Sequence, residues 1–173
     1  MGIPNLIRLV LSNIVAVFLV VAIIVTIVKV RRGSGESPAS ILWREVLFYC
    51  IGLGMVWAFI FHAFAQRMSA ASIGWTPSPF EWELAWAEAA MALVALMAFW
   101  GNYGARLAAT LMFFVFCLGA TIQHINQIVC CHNYAPGNAG PILWFNDIAL
   151  PLFLLVLALL AARRPNTPAA TAA

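Results

Sequence analysis

Residues 107–129 read LAATLMFFVFCLGATIQHINQIV, an unbroken run with no Asp, Glu, Lys or Arg. A hydrocarbon core of about 30 Å takes about 20 residues of helix per crossing, so this run is long enough to span it. It shows no alternation of period two, which a β-barrel strand requires. Working outward, similar apolar runs occupy residues 9–28, 46–65, 82–100 and 141–162. Lys29, Arg31 and Arg32 close the first run, and Arg163 and Arg164 close the last. Glu81, Glu83 and Glu88 lie in the first turns of the third run, and Asn146 and Asp147 lie early in the fifth. The expectation is an all-α integral membrane protein, a bundle of five transmembrane helices made of a four-helix core plus an N-terminal span. Residues 1–164 form a single transmembrane domain in this reading, and the Pro-, Thr- and Ala-rich residues 165–173 form a disordered cytoplasmic tail.

Composition points the same way. The 173 residues are 64% hydrophobic and 9% charged, with a net charge of +3. A soluble domain carries roughly 25% charged residues. The counts therefore exclude an ordinary soluble domain, a nucleic-acid binder and a disordered chain. The partner they imply is the lipid bilayer, with a homo-oligomer or a second membrane protein left open.

Five spans place Lys29, Arg31, Arg32, Arg44, Arg106, Arg163 and Arg164 on one side, and Arg8 and Arg67 on the other. Basic residues mark the cytoplasmic face, so the N-terminus is expected outside and the C-terminus inside, in a cell inner membrane. The first run has its heavier positive charge after it, unlike a signal peptide, and reads as a retained anchor. Residues 31–38 read as a cytoplasmic loop from their Gly, Ser and Pro.

With that orientation, Glu81, Glu83, Glu88, Asp147, all three histidines and the Cys130–Cys131 pair fall at the outer end. Ionisable groups at membrane depth are costly and are functional candidates by default. His124 shares a helical stripe with Cys117, Thr121, Gln127 or Ile128, and Cys131. Two readings stand: a hydrogen-bond cluster with Gln123, Asn126 and Gln127, or a ligand, metal or proton role. Glu81 fits a capping box, with Ser78 as N-cap and Pro79 at the first helical position. Glu88 is expected to pair with His62 or His124, to be protonated, or to be solvated. Trp82 and Trp86 read as interfacial belt residues. His124, Cys130, Cys131 and His132 form a candidate metal set whose soft sulfurs suit copper(I), although the spacing lacks a structural zinc signature. Cys50 and Cys117 read as packing residues. Residues 133–141 read as an ordered loop from two prolines and two glycines, with Asp147 beyond it placed to cap a helix or to reach His124 or His132. Pro151 is expected to kink or delay the last helix.

Ile73-Gly74-Trp75, Ser78-Pro79-Phe80-Glu81-Trp82-Glu83, residues 119–124, and residues 133–141 followed by Asp147 resemble a small, widespread and functionally uncharacterised family of bacterial multi-spanning membrane proteins. The resemblance implies that Glu83, His124, Asn138 and Asp147 are the positions to watch, while Glu81 and Glu88 look like departures from the family pattern. The third run is also distantly similar to DoxX-like proteins, some of which are linked to quinone or thiol redox systems.

Three functions follow as expectations. The first is an outer-face pocket walled by Glu83, His124, Gln127, Asn138 and Asp147 that binds a small polar ligand, a metal ion or protons. The second is a quinone- or thiol-linked oxidoreductase with His124 as proton donor and Cys130–Cys131 as redox pair. The third is an accessory subunit of a larger membrane complex, using small-residue faces such as Ala85, Ala89 and Ala92 for packing. No Cys-x-x-Cys-His haem signature is present, although His62 and His124 facing each other would hold haem. No cofactor or enzymatic activity is assigned by the residues. The inner halves of spans one, two and five are nearly devoid of polar residues, which argues against a transport path.

Overall fold

The computed structural model describes residues 13–162, and every regular element among them is helical. Helix α1 is Ile14–Arg31. Helix α2 (Pro38–Val46), a π-helical segment Leu47–Leu53 and α3 (Gly54–Phe64) run on as one helix, Pro38–Phe64, of 27 residues. A short α4 (Gln66–Ser72) precedes α5 (Phe80–Ala98) and the long α6 (Tyr103–Cys131). The single turn α7 (Pro136–Ala139), a second π-helical segment Ile142–Ala149 and α8 (Leu150–Ala162) complete the chain. Four helices are long and apolar enough to cross a membrane: Ile14–Arg31, Pro38–Phe64, Tyr103–Cys131 and Pro136–Ala162. The expected third span exists as a helix of 19 residues, α5, but carries Glu81, Glu83 and Glu88. Arg8, residues 9–12 of the first run, Arg163, Arg164 and the 165–173 tail lie outside the described residues.

Local chemistry sets the helix ends. Ser37 Oγ accepts the Ser40 N–H at 3.2 Å and Pro38 fills the first turn, so the second helix starts well before residue 46. Asn102 Oδ1 caps α6 by accepting the Ala105 N–H at 3.0 Å. At the far end of α6, His132 takes a left-handed conformation with φ 51° and its N–H bonds the Gln127 carbonyl. The expected capping box at Ser78 does not form. Pro79 precedes the first residue of α5, no side chain caps it, and Ser78 contributes only its carbonyl to the Glu81 N–H. The Glu81 carboxylate is thereby left to turn inward.

Helix α5 lies along α3 and the first π segment through Ala85, Ala92, Ala95 and Ala98, small side chains that let backbones approach. Gly52 belongs to this contact: a Cβ there would stand 2.6 Å from Leu96 Cδ2. The larger core gathers Trp43, Leu47, Leu150 and Leu154 around Phe113 of α6. Trp43 Nε1 donates to Thr110 Oγ1 at 2.9 Å, so its polar tip is satisfied inside that core. Val20, Ile24, Val115, Ile122 and Leu159 point outward and are exposed, a surface suited to lipid.

Contacts between linkers define two ends. At one, Lys29 meets Glu45 at 2.7 Å, Arg44 meets Glu36 at 2.7 Å, and both cations lie over the Phe99 ring. Arg106 joins them by donating to the carbonyls of Ala98 and Phe99. At the other, Asn133 Nδ2 donates to the Ile73 carbonyl at 2.8 Å, and Gly137 sits against the Ser72 carbonyl. These are the arginine end and the histidine end below. Helix α5 starts beside the second and finishes at Phe99 in the first, so it runs the length of the bundle.

Gly52→Leu is expected to force α5 off its neighbour and cost about 1–3 kcal/mol, the usual range for overpacking. Gly119→Leu, with nothing within 4 Å of its Cβ position, is expected to leave the melting midpoint in detergent unchanged. Equal melting of the two variants contradicts the α5 packing.

Candidate functional site

The site begins with a missing hydrogen. Pro151 has no N–H, so the carbonyl four residues earlier, Asp147 O, loses its helical donor, and the chain there winds as the π-helical segment Ile142–Ala149. Helix α6 supplies the replacements. Thr121 Oγ1 donates to the Asp147 carbonyl at 3.2 Å, and Cys117 Sγ to the Asn146 carbonyl at 3.8 Å. One turn beyond Thr121 on the same stripe is His124, buried, with Nε2 3.6 Å from Asp147 Oδ2.

The other side of the imidazole is held by the loop. His124 Nδ1 lies 2.7 Å from Asn138 Oδ1, while Asn138 Nδ2 donates to the carbonyls of His124 and Asn133. The amide orientation is therefore fixed, its oxygen can only accept, and His124 Nδ1 carries the hydrogen. Asn138 is fully buried. Its position depends on Gly137, where a Cβ would stand 2.6 Å from the Ser72 carbonyl, and on Gly74, whose φ of 73° turns the chain beside Asn133. The residue after that turn, Trp75, stacks on His124 with ring centroids 6.1 Å apart. Trp75 Nε1 and Asp147 Oδ2 are both buried without a hydrogen-bond partner. A donor and an acceptor are thus left over around one imidazole.

A second polar cluster sits between α3 and α5. His62 Nδ1 is 2.8 Å and 2.7 Å from the two oxygens of Glu88, and His62 Nε2 is 4.0 Å from Glu81 Oε2. Both glutamates are buried, and Glu81 Oε2 has no hydrogen-bond partner. No hydrogen bond or ion pair joins this cluster to that of His124 among the described residues.

Of the residues singled out in the sequence, His124, Asn138 and Asp147 are brought together. Glu83 is exposed on α5 and takes part in no hydrogen bond or ion pair among the described residues. Gln127 is half-buried and contributes its backbone carbonyl to the end of α6. Cys130, Cys131 and His132 are exposed, the two sulfurs 2.9 Å apart as free thiols. No group of three or more His, Cys, Asp or Glu side chains is placed to hold a metal ion among the described residues. Each of His62 and His124 turns both ring nitrogens to its own acid or amide partners, so they do not face each other. Sequence reasoning missed Trp75 and Asn133 as parts of the site. The signal was a tryptophan next to a glycine in a turn, with an asparagine opening the facing loop.

Residues 12–167 match the profile of a family described as of unknown function, DUF6790. The chain belongs to this family. The DUF6790 match spans every described helix. No curated protein and no solved structure matches the chain.

Asn138→Ala strips His124 Nδ1 and two carbonyls of their partner. It is expected to cost about 2 kcal/mol or more, since each buried unsatisfied group costs about 1–3 kcal/mol. Glu83→Ala, on the exposed face, is expected to stay within about 0.5 kcal/mol of the parent in the same detergent melt.

Proposed function

We propose that this DUF6790 protein is a five-span inner-membrane protein, N-terminus outside and C-terminus inside, whose outer end binds a small hydrogen-bonding molecule against Trp75, His124, Asn138 and Asp147. The observation that carries the binding reading is the unpartnered pair at His124. Trp75 Nε1–H lacks an acceptor and Asp147 Oδ2 lacks a donor. Leaving such groups buried and unmatched costs about 1–3 kcal/mol each. A molecule with a hydroxyl or a primary amide supplies both functions at once. The exposed thiols of Cys130 and Cys131 stand two helical turns beyond His124, and nothing joins them to it, so a redox reading gains no such support.

Two features support five crossings. Glu81 and Glu88 face His62, which leaves Glu83 as the one carboxylate of α5 on its exposed side, in the first turn near the boundary. The linkers 73–79 and 132–141 also share one end. An even number of crossings must separate them, and α5 with α6 provides two. Lys29, Arg31, Arg44 and Arg106 collect at the opposite end, which supports a cytoplasmic placement of that end by the positive-inside rule.

In a cysteine-free background, Tyr134→Cys is expected to react with an impermeant maleimide from outside the cell, and Gly35→Cys only after permeabilisation. Labelling of both from one side would mean that α5 does not cross; the reversed pattern would invert the orientation.

For the binding reading, native mass spectrometry of the full chain is expected to show a retained small-molecule mass. Trp75→Phe, which deletes one N–H, is expected to lower its occupancy about tenfold, the equivalent of one hydrogen bond of about 1.4 kcal/mol. Identical masses for parent and variant overturn the reading.

A further inference from the structure

The cluster of His62, Glu81 and Glu88 is separate from the ligand site and has its own chemistry. Glu81 and Glu88 are seven residues apart on one helix, two turns or about 10 Å along the axis. Both are more than nine-tenths buried, and the imidazole from α3 stands between them. Each ring nitrogen looks at a different carboxylate, so the three groups do not converge on a point where a metal ion would sit. They are instead strung in line, Glu81, His62, Glu88.

Charge counting shows what the line must hold. Two ionised carboxylates beside a neutral imidazole would put two negative charges on neighbouring groups away from water, and one of them has no hydrogen bond. The other elements packed on α3 offer no compensation. The described charges of α1, Lys29 and Arg31, belong to the arginine end. Arg67 of α4 is exposed and forms no ion pair among the described residues, and the first π segment brings only Tyr49 and the buried thiol of Cys50. A proton beyond the one on the neutral imidazole has to sit on this line, on the ring or on a carboxylate. Glu88, approached through both oxygens by His62 Nδ1, is the carboxylate whose ionised form is hydrogen-bonded. Glu81 Oε2, buried and unpartnered, is the atom placed to carry the proton.

We propose that Glu81, His62 and Glu88 form a proton-loading site, in which the imidazole passes a proton from the boundary carboxylate to the deeper one. The step balances within the three side chains. The Glu81 carboxyl O–H bond breaks and His62 Nε2 takes that proton; His62 Nδ1 releases its own to Glu88. Glu81 ends ionised, Glu88 ends protonated, and the imidazole has changed tautomer with no change in total charge. Beyond Glu88, the buried face of α5 is Met91, Ala92, Ala95 and Ala98, which accept no proton. The site therefore loads from the histidine end and does not conduct to the arginine end.

Infrared spectroscopy of the full chain in lipid nanodiscs at neutral pH, compared in light and heavy water, tests this. The parent is expected to show a protonated-carboxyl band from this cluster that Glu81→Gln removes and Glu83→Gln leaves intact. His62→Leu takes away the N–H donor that lets Glu88 stay ionised and is expected to raise the band from one carboxyl to two. Asp147→Asn assigns any contribution from the other site, and loss of ligand binding in Trp75→Phe leaves the band unchanged, so the two proposals fail separately. A band that is absent in the parent, or indifferent to Glu81→Gln, overturns the proposal. Should His62→Leu fail to fold, Glu81→Gln, nearly identical in shape, remains decisive.

Discussion

A carboxylate buried in a helix bundle has no water to ionise into, and the contact between Glu88 and His62 answers that constraint for α5. Without it, two acidic side chains on one face would expel the helix from the bundle. With it, those acids become the inner face of the pairing with α3, and alanines continue the same face toward the arginine end. The helix can then present Leu93, Val94 and Met97 outward. The placement of α5 in turn decides where every later element lies, because α6 must begin at the end where α5 stops. A single imidazole therefore underwrites the topology of the C-terminal half.

The same constraint acts on the backbone around Pro151. Removing one N–H from a membrane helix exposes a carbonyl that lipid cannot satisfy. The chain answers by winding a π-helical stretch and by bringing Thr121 and Cys117 of α6 to the freed oxygens. Those two contacts lock the register of α6 against the last helix, and the register delivers His124 to the level of Asp147. The site at His124 is in this sense a consequence of a proline four residues from its acid.

Much of this could be read from the chain before any coordinates. The run at 107–129 announced a long helix, and the stripe of Cys117, Thr121 and His124 did face a neighbour. Asp147 was placed within reach of His124, with Pro151 as the reason. The helix boundaries were less legible, because Ser37 with Pro38 and Asn102 extend helices into polar sequence through capping rather than hydropathy. Glu81 was misjudged for a related reason. The motif Ser78-Pro79-Phe80-Glu81 satisfies the rule for a capping box, but its Ser78 is spent on a backbone turn, and only tertiary structure reveals where the freed carboxylate goes. Trp75 was out of reach because its stacking on His124 depends on two loops, far apart in the sequence, docking through Gly137 and Ser72.

The two ends of the bundle differ in how completely their polar groups are matched. At the arginine end, Lys29, Glu36, Arg44, Glu45 and Arg106 all find partners, and Phe99 lies under two of the cations. At the histidine end lie all three buried side-chain atoms without a partner among the described residues: Trp75 Nε1, Glu81 Oε2 and Asp147 Oδ2. A fold selected only for stability would have no reason to concentrate its unmet hydrogen bonds beside the imidazoles of His62 and His124. Matched charge closes one end of the bundle, and unmatched donors and acceptors collect at the other.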